Sequence, residues 1–225
     1  MALTKEECEE VVALYLERHN ITDKLDFIIA ENSIALYGKP MIHWAGYFSC
    51  SQDKEPKHGR IEIFSEKFSS QNELYMALNH EVLGHYGLNT FDPKDKKQLL
   101  DAIIEAKDSN DFREMWEDIE IFYGQKNIYE RAEEVYARTC EDIFPVNYPD
   151  KYQARLKGET ALNEIFNGQA SLTFDHLLAI TDMVATDIRD GSRQQKTFLE
   201  DDITIKSRYQ AQEVTPDDPE PEMVM

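Results

Sequence analysis

Apolar residues recur with two different periods along this chain, and the change of period separates a short mixed region from a longer helical one. Thr4 followed by Glu7 is a capping-box pattern. Val11, Val12, Leu14, Tyr15 and Leu16 then supply the buried stripe of a helix that ends near His19 and Asn20. Four short runs, 25–30, 33–37, 43–50 and 60–64, read as strands. Gly38-Lys39-Pro40 is a turn between two of them, and 51–59 is a polar hairpin loop. Trp44 and Phe48 fall on one face of their strand and read as core, with Tyr47 on the other.

From Ser69 the period is helical. Ser70 opens a helix through Leu74, Leu78, Val82 and Leu83 to about Tyr86. Asp92-Pro93 caps the next, with Leu99, Leu100, Ile103 and Ile104 on its apolar face. Further helices are expected over 111–123, with Trp116, Ile119 and Tyr123 on a packing face, and over 128–143. A connection over 145–150 precedes helices near 151–157, 160–166 and 174–188. The pattern predicts an α+β domain, mostly helical, with a small, mainly antiparallel sheet before the central helix. One domain over 1–209 is expected, followed by a disordered acidic tail over 210–225, which has prolines and acids but no apolar period.

Composition adds exclusions. No apolar run approaches the ~20 residues of a membrane span. The first twenty residues carry Glu6, Glu7, Glu9 and Glu10 where a secretory signal would be basic. Cys8, Cys50 and Cys140 are isolated, so reduced thiols and a cytoplasmic location are expected. A formal net charge of -20 argues against nucleic-acid and anionic-membrane partners and favours a protein or peptide partner, a basic one above all. The same acidity also serves solubility.

The chemistry concentrates in Asn79-His80-Glu81-Val82-Leu83-Gly84-His85. The histidines are five apart, so the pattern is HExxxH and not HExxH. On a regular α-helix, positions i and i+5 are rotated about 140° apart. Both imidazoles reach one metal only if that turn holds an extra residue, as a π-bulge does, and Gly84 eases the distortion. A zinc site with an open position needs a third protein ligand. Glu133 and Glu134, adjacent in an otherwise apolar segment, are the candidates. They point about 100° apart on a helix, so one can ligate while the other hydrogen-bonds a ligand histidine.

HEVLGH followed by AEEVYA resembles the HExxGH and EExxA motifs of the dipeptidyl-peptidase III family of gluzincins. HEVLGHYGL is also similar to zincin-like metallopeptidase domains carried in large polyvalent proteins of phages and plasmids. The resemblance covers two short motifs. It implies one zinc ion on His80, His85 and Glu134, with Glu81 as general base and Glu133 orienting a ligand histidine. The function it implies is a zinc metallopeptidase, a hydrolase in which Glu81 takes the proton of a zinc-bound water. An oxyanion donor is then needed from Tyr86, Tyr123, Tyr136, His43 or His176, of which Tyr136 and His176 are the choices carried forward. The alternative is a non-catalytic zincin-fold module whose acidic surface docks a protein partner. In that case His43 or Glu133 would close the zinc sphere. His19 and His58 fall in expected surface segments.

Overall fold

The computed structural model describes residues 2–21, 24–40, 45–50, 52, 59–143 and 150–204. The expectations for His43, Trp44, His58, most of 145–150 and the tail over 210–225 lie outside the described residues.

Helix α1 (Lys5–His19) begins at a complete capping box. Thr4 N donates to Glu7 Oε2 at 2.8 Å and Glu7 N donates to Thr4 Oγ1 at 3.2 Å. Strand β1 (Leu25–Ala30) follows. The run expected to be a second strand is instead the short helix α2 (Ser33–Tyr37). Its ends explain the difference. The Asn32 side chain accepts from Ala35 N, and Gly38 stops the helix at φ 70. Five residues of apolar alternation do not outweigh a cap at each end.

Strands β2 (Ala45–Phe48) and β3 (Gly59–Phe64) complete a three-stranded sheet in the order β1-β3-β2. The sheet is mixed. β2 runs antiparallel to β3, pairing Tyr47 with Ile61, and β1 runs parallel to it, pairing Phe27 with Ile61. Ile61 and Ile63 are fully buried on the central strand. Phe48 is 40% exposed, contrary to its expected core role, and Arg60 lies over its ring.

Helix α3 (Gln71–Leu78) is capped by Ser70 and runs directly into a π-helical segment (Asn79–Tyr86), the distortion expected around Gly84. Leu74, Leu78, Val82, Leu83 and Tyr86 drive it into the core. Helices α4 (Pro93–Glu105), α5 (Arg113–Tyr123) and α6 (Ile128–Cys140) follow, with α6 packed on the π-helical segment and α4 and α5 packed on α6. The two helices expected over 151–157 and 160–166 are one, α7 (Lys151–Phe166), paired with α8 (Phe174–Arg189). Gly158 does not break α7. It admits α8 so closely that a Cβ there would sit 2.5 Å from Met183 Cβ.

After α8 the chain returns as a strap over 195–204. Lys196 N and Thr197 N donate to Asn89 O, and Leu199 N donates to Cys50 O. The described residues thus form an α+β fold in which the sheet, the π-helical segment, α6 and the strap meet. None of their helices is long and apolar enough to cross a membrane.

Candidate metal centre

The wide turn of the π-helical segment brings His80 and His85 to the same side. Their ring centroids are 4.9 Å apart at an interplanar angle of 70°. α6 lies against this turn because neither helix carries bulk at the crossing. A Cβ on Gly84 would fall 2.6 Å from both Cα and Cβ of Ala137. The close approach presents Glu134 to the two rings. Glu134 Oε2 is 3.4 Å from His80 Nε2 and 4.0 Å from His85 Nε2.

The other ring nitrogens are held from behind. His85 Nδ1 is 3.0 Å from Glu133 Oε1, and His80 Nδ1 is 2.9 Å from Glu141 Oε1. A ring N–H donating to each carboxylate leaves both Nε2 lone pairs aimed inward, an arrangement typical of metal-ligating histidines. Two lysines hold Glu133 and Glu134, the adjacent pair on α6. Lys126 Nζ donates to Glu134 Oε1 at 2.7 Å, and Lys96 Nζ lies 3.4 Å from Glu133 Oε2.

The electrostatics follow from this crowding. Burial pulls the His80 imidazole down, but Glu134, Glu141 and Glu81 outweigh it and raise it to about 10. His85 is raised in the same way by Glu133, Glu134 and Glu81. Burial opposes ionisation of Glu133, yet Lys96 and His85 hold it down at about 2. His80, His85 and Lys126 overcome burial to keep Glu134 well below the usual carboxylate range. A cation held between the two imidazoles would compete with their protons, so metal binding would be coupled to proton release.

The residues fit a zinc ion. One donor atom from each of His80, His85 and Glu134 lies within 4.8 Å of the other two. Two ligands about 2.1 Å from a tetrahedral zinc stand roughly 3.4 Å apart, so small side-chain adjustments suffice. Two imidazoles and one carboxylate form a zinc donor set that leaves a position open. Beside it, Glu81 Oε2 is buried with no hydrogen-bond partner among the described residues. The centre opens into a cavity of about 440 Å³ bordered by β2, Tyr123, Lys126 and the strap residues Leu199, Asp202 and Thr204.

His80, Glu81, His85, Glu133 and Glu134 are therefore brought together. Tyr136 and His176 are not. Tyr136 is fully buried and does not line the cavity. His176 serves the N-terminus of α8, where its backbone N donates to Thr173 Oγ1 at 3.2 Å and its Nδ1 accepts from Thr173 N at 3.3 Å. Its Nε2 faces Glu164 at 3.4 Å. Of the other oxyanion candidates, Tyr123 lines the cavity and Tyr86 does not. His19, expected at the surface, is fully buried and stacks on Tyr15 with centroids 4.0 Å apart.

Sequence reasoning missed three groups: Glu141, Lys126 and Lys96. Glu141 follows Glu134 by seven residues, two helical turns along the same face, so periodicity could have found it. The lysines carry no local signal.

Fold and site together define an α+β domain built around a candidate zinc centre. The chain is similar to DNA primase TraC of Escherichia coli, with 32% identity over 210 residues. The match covers 88% of this chain and 14% of that protein, so the chain spans about a seventh of the relative's length. No protein-family model matches the chain. No solved structure matches it either.

This similarity overturns several expectations. The resemblance to dipeptidyl-peptidase III and to polyvalent-protein metallopeptidases rests on two motifs, whereas the match to the primase runs along nearly the whole chain. The metallopeptidase reading falls with it, as do the hydrolase and protease classes, the protein or peptide substrate and the acidic docking module. The exclusion of nucleic acid falls as well. That exclusion rested on net charge, which reports an average over the surface and not a local binding site.

Proposed function

We propose that this chain is a zinc-binding domain of a DNA-primase-like enzyme, and that its part in DNA synthesis depends on the centre formed by His80, His85 and Glu134. The convergence of two Nε2 atoms on one Glu134 oxygen carries the metal half of this reading. The similarity to DNA primase TraC supports the DNA half.

The donor set separates this centre from nucleotidyl transfer itself. Such transfer uses hard cations, above all Mg²⁺, held by carboxylates, waters and substrate phosphates. Two imidazoles and a carboxylate favour zinc instead. The domain is therefore an accessory to priming and not its seat. When bound, a zinc ion supplies Lewis acidity to an oxygen in the cavity. Glu81 supplies a proton acceptor at the same place, and Lys126 restrains Glu134 so that one carboxylate oxygen remains for ligation.

The test uses the full chain. Elemental analysis is expected to give one zinc per chain, lost in His80→Ala and Glu134→Ala. Fluorescence anisotropy with a labelled single-stranded oligonucleotide is expected to give binding at low salt. A zinc-replete preparation without metal overturns the first half. Absence of oligonucleotide binding at about 50 mM salt, where electrostatic contacts are strong, overturns the second.

A further inference from the structure

Lys96 is the most buried charge in the neighbourhood of the centre, with no exposed surface. Lysines are almost never fully buried unless paired. Its ammonium is saturated by three groups from three parts of the chain. Asn89 Oδ1 accepts at 2.7 Å, Asp202 Oδ1 at 3.2 Å, and Glu133 Oε2 lies at 3.4 Å.

Each partner is fixed in turn. Asp202 Oδ1 also accepts from Thr204 N at 3.0 Å and Thr204 Oγ1 at 2.8 Å. Thr204 O accepts from Asn127 Nδ2 at 2.9 Å, which ties the strap to the start of α6. Glu133 offers its second oxygen to His85 Nδ1. A continuous series of contacts thus runs from the strap through Lys96 and Glu133 to a candidate ligand.

We propose that Lys96 and Asp202 are positioning residues of the metal centre, and that the strap over 195–204 belongs to that centre although it supplies no ligand. Without the Lys96 charge, Glu133 loses its counter-ion and is no longer fixed to accept from the His85 ring N–H. His85 then loses the contact that aims its Nε2 at Glu134. This inference rests on the metal site proposed above.

The experiment measures zinc affinity by chelator competition, and the visible absorption of the Co²⁺-loaded protein, for the full chain and three variants. Lys96→Met is expected to weaken zinc by about 10–100-fold, the range for partners that orient metal-binding histidines. It should also shift the cobalt bands. Asp202→Asn keeps the shape and removes the charge, and is expected to weaken zinc several-fold in the same direction. Lys97→Met removes a neighbouring exposed lysine paired with Asp101 and should change neither readout. A merely structural salt bridge would alter stability and leave the cobalt spectrum of the folded protein unchanged.

If wild type binds zinc and both Lys96→Met and Asp202→Asn stay within twofold with unchanged spectra, the positioning role is wrong and the metal site stands. Should Lys96→Met fail to fold, Asp202→Asn decides alone. If wild type binds no zinc, the metal site and the positioning role fall together.

Discussion

Replacing Gly84 by alanine tests whether the helix crossing creates the candidate metal centre. The added Cβ would lie 2.6 Å from Ala137 Cα and from Ala137 Cβ, against 3.4–4 Å for ordinary contact. The π-helical segment and α6 must then separate by about 1 Å. A rotamer change gives no relief, because one of the opposing atoms is backbone. Two effects compete in stability. Alanine favours a helix over glycine by ~1 kcal/mol. Overpacking costs ~1–3 kcal/mol, and a backbone clash belongs at the upper end. The net expectation is a loss of about 2 kcal/mol. The effect on metal should be sharper. A zinc site tolerates roughly 0.2 Å in its ligand distances, and His80 and His85 ride on one side of the crossing while Glu134 rides on the other. Zinc affinity should fall at least ~10-fold, or ~1.4 kcal/mol. Urea denaturation and chelator competition measure the two effects. Gly158→Ala is the control, since its Cβ meets Met183 and Ala179 away from the centre. It should lose stability and keep zinc affinity. The reasoning is refuted if Gly84→Ala binds zinc as wild type does, or if Gly158→Ala weakens zinc equally.

Four further outcomes are expected. Glu81→Gln should keep zinc within about threefold by chelator competition, because Glu81 is not one of the three converging donors. His176→Ala should cost ~1 kcal/mol through the α8 capping box, with zinc content unchanged by elemental analysis. His19 is lowered to about 4, chiefly by burial. The unfolded chain therefore binds more protons between about pH 6.5 and 4, and stability falls as pH drops through that window. His19 contributes about 3 kcal/mol of that loss, and denaturation at pH 7 and pH 4 should show a smaller difference in His19→Phe. With a net charge of -20, oligonucleotide binding should rest on few phosphate contacts. About two contacts give a log–log salt slope near −1.4 for a single strand. A slope steeper than about −4, which corresponds to about six phosphate contacts, would refute this expectation.

Much of the site was legible because its signals are local. A common metal for His80 and His85 at a spacing of five requires an extra residue in the turn, and the π-helical segment over Asn79–Tyr86 has one. Glu133 and Glu134 were legible as a pair because adjacent acids in an apolar helix need partners. The lysines that partner them were not. Lys96 and Asp202 are separated by 106 residues and meet only in the folded chain. Tyr136 and His176 were misread because residue type shows what a side chain can donate, not where it points. The α2 segment was misread because its apolar pattern is too short to outweigh the Asn32 and Gly38 caps. The reaction was misread for a different reason. HExxxH and EExxA point to a donor set and a helix crossing, and both features are compatible with more than one use of a cation held there.

The two lysines bear on what adjacency left open. Glu133 and Glu134 are chemically identical, and helical geometry alone allows either to ligate. Lys96, with no exposed surface, takes one Glu133 oxygen while His85 Nδ1 takes the other, so Glu133 has no oxygen left facing the rings. Lys126 takes only one Glu134 oxygen, and the other stands before both Nε2 atoms. Two carboxylates side by side would repel each other, and each lysine offsets one of them. Their different placement therefore supports a division of labour, with Glu134 as the ligand and Glu133 as the group that aims His85. Exchanging the roles by Glu134→Gln should lose the metal, because Glu133 cannot turn inward without abandoning Lys96 in a buried site. Glu133→Gln should keep the metal at reduced affinity, since an amide oxygen can still accept from His85. If Glu133→Gln abolished zinc binding and Glu134→Gln preserved it, the assignment would have to be reversed.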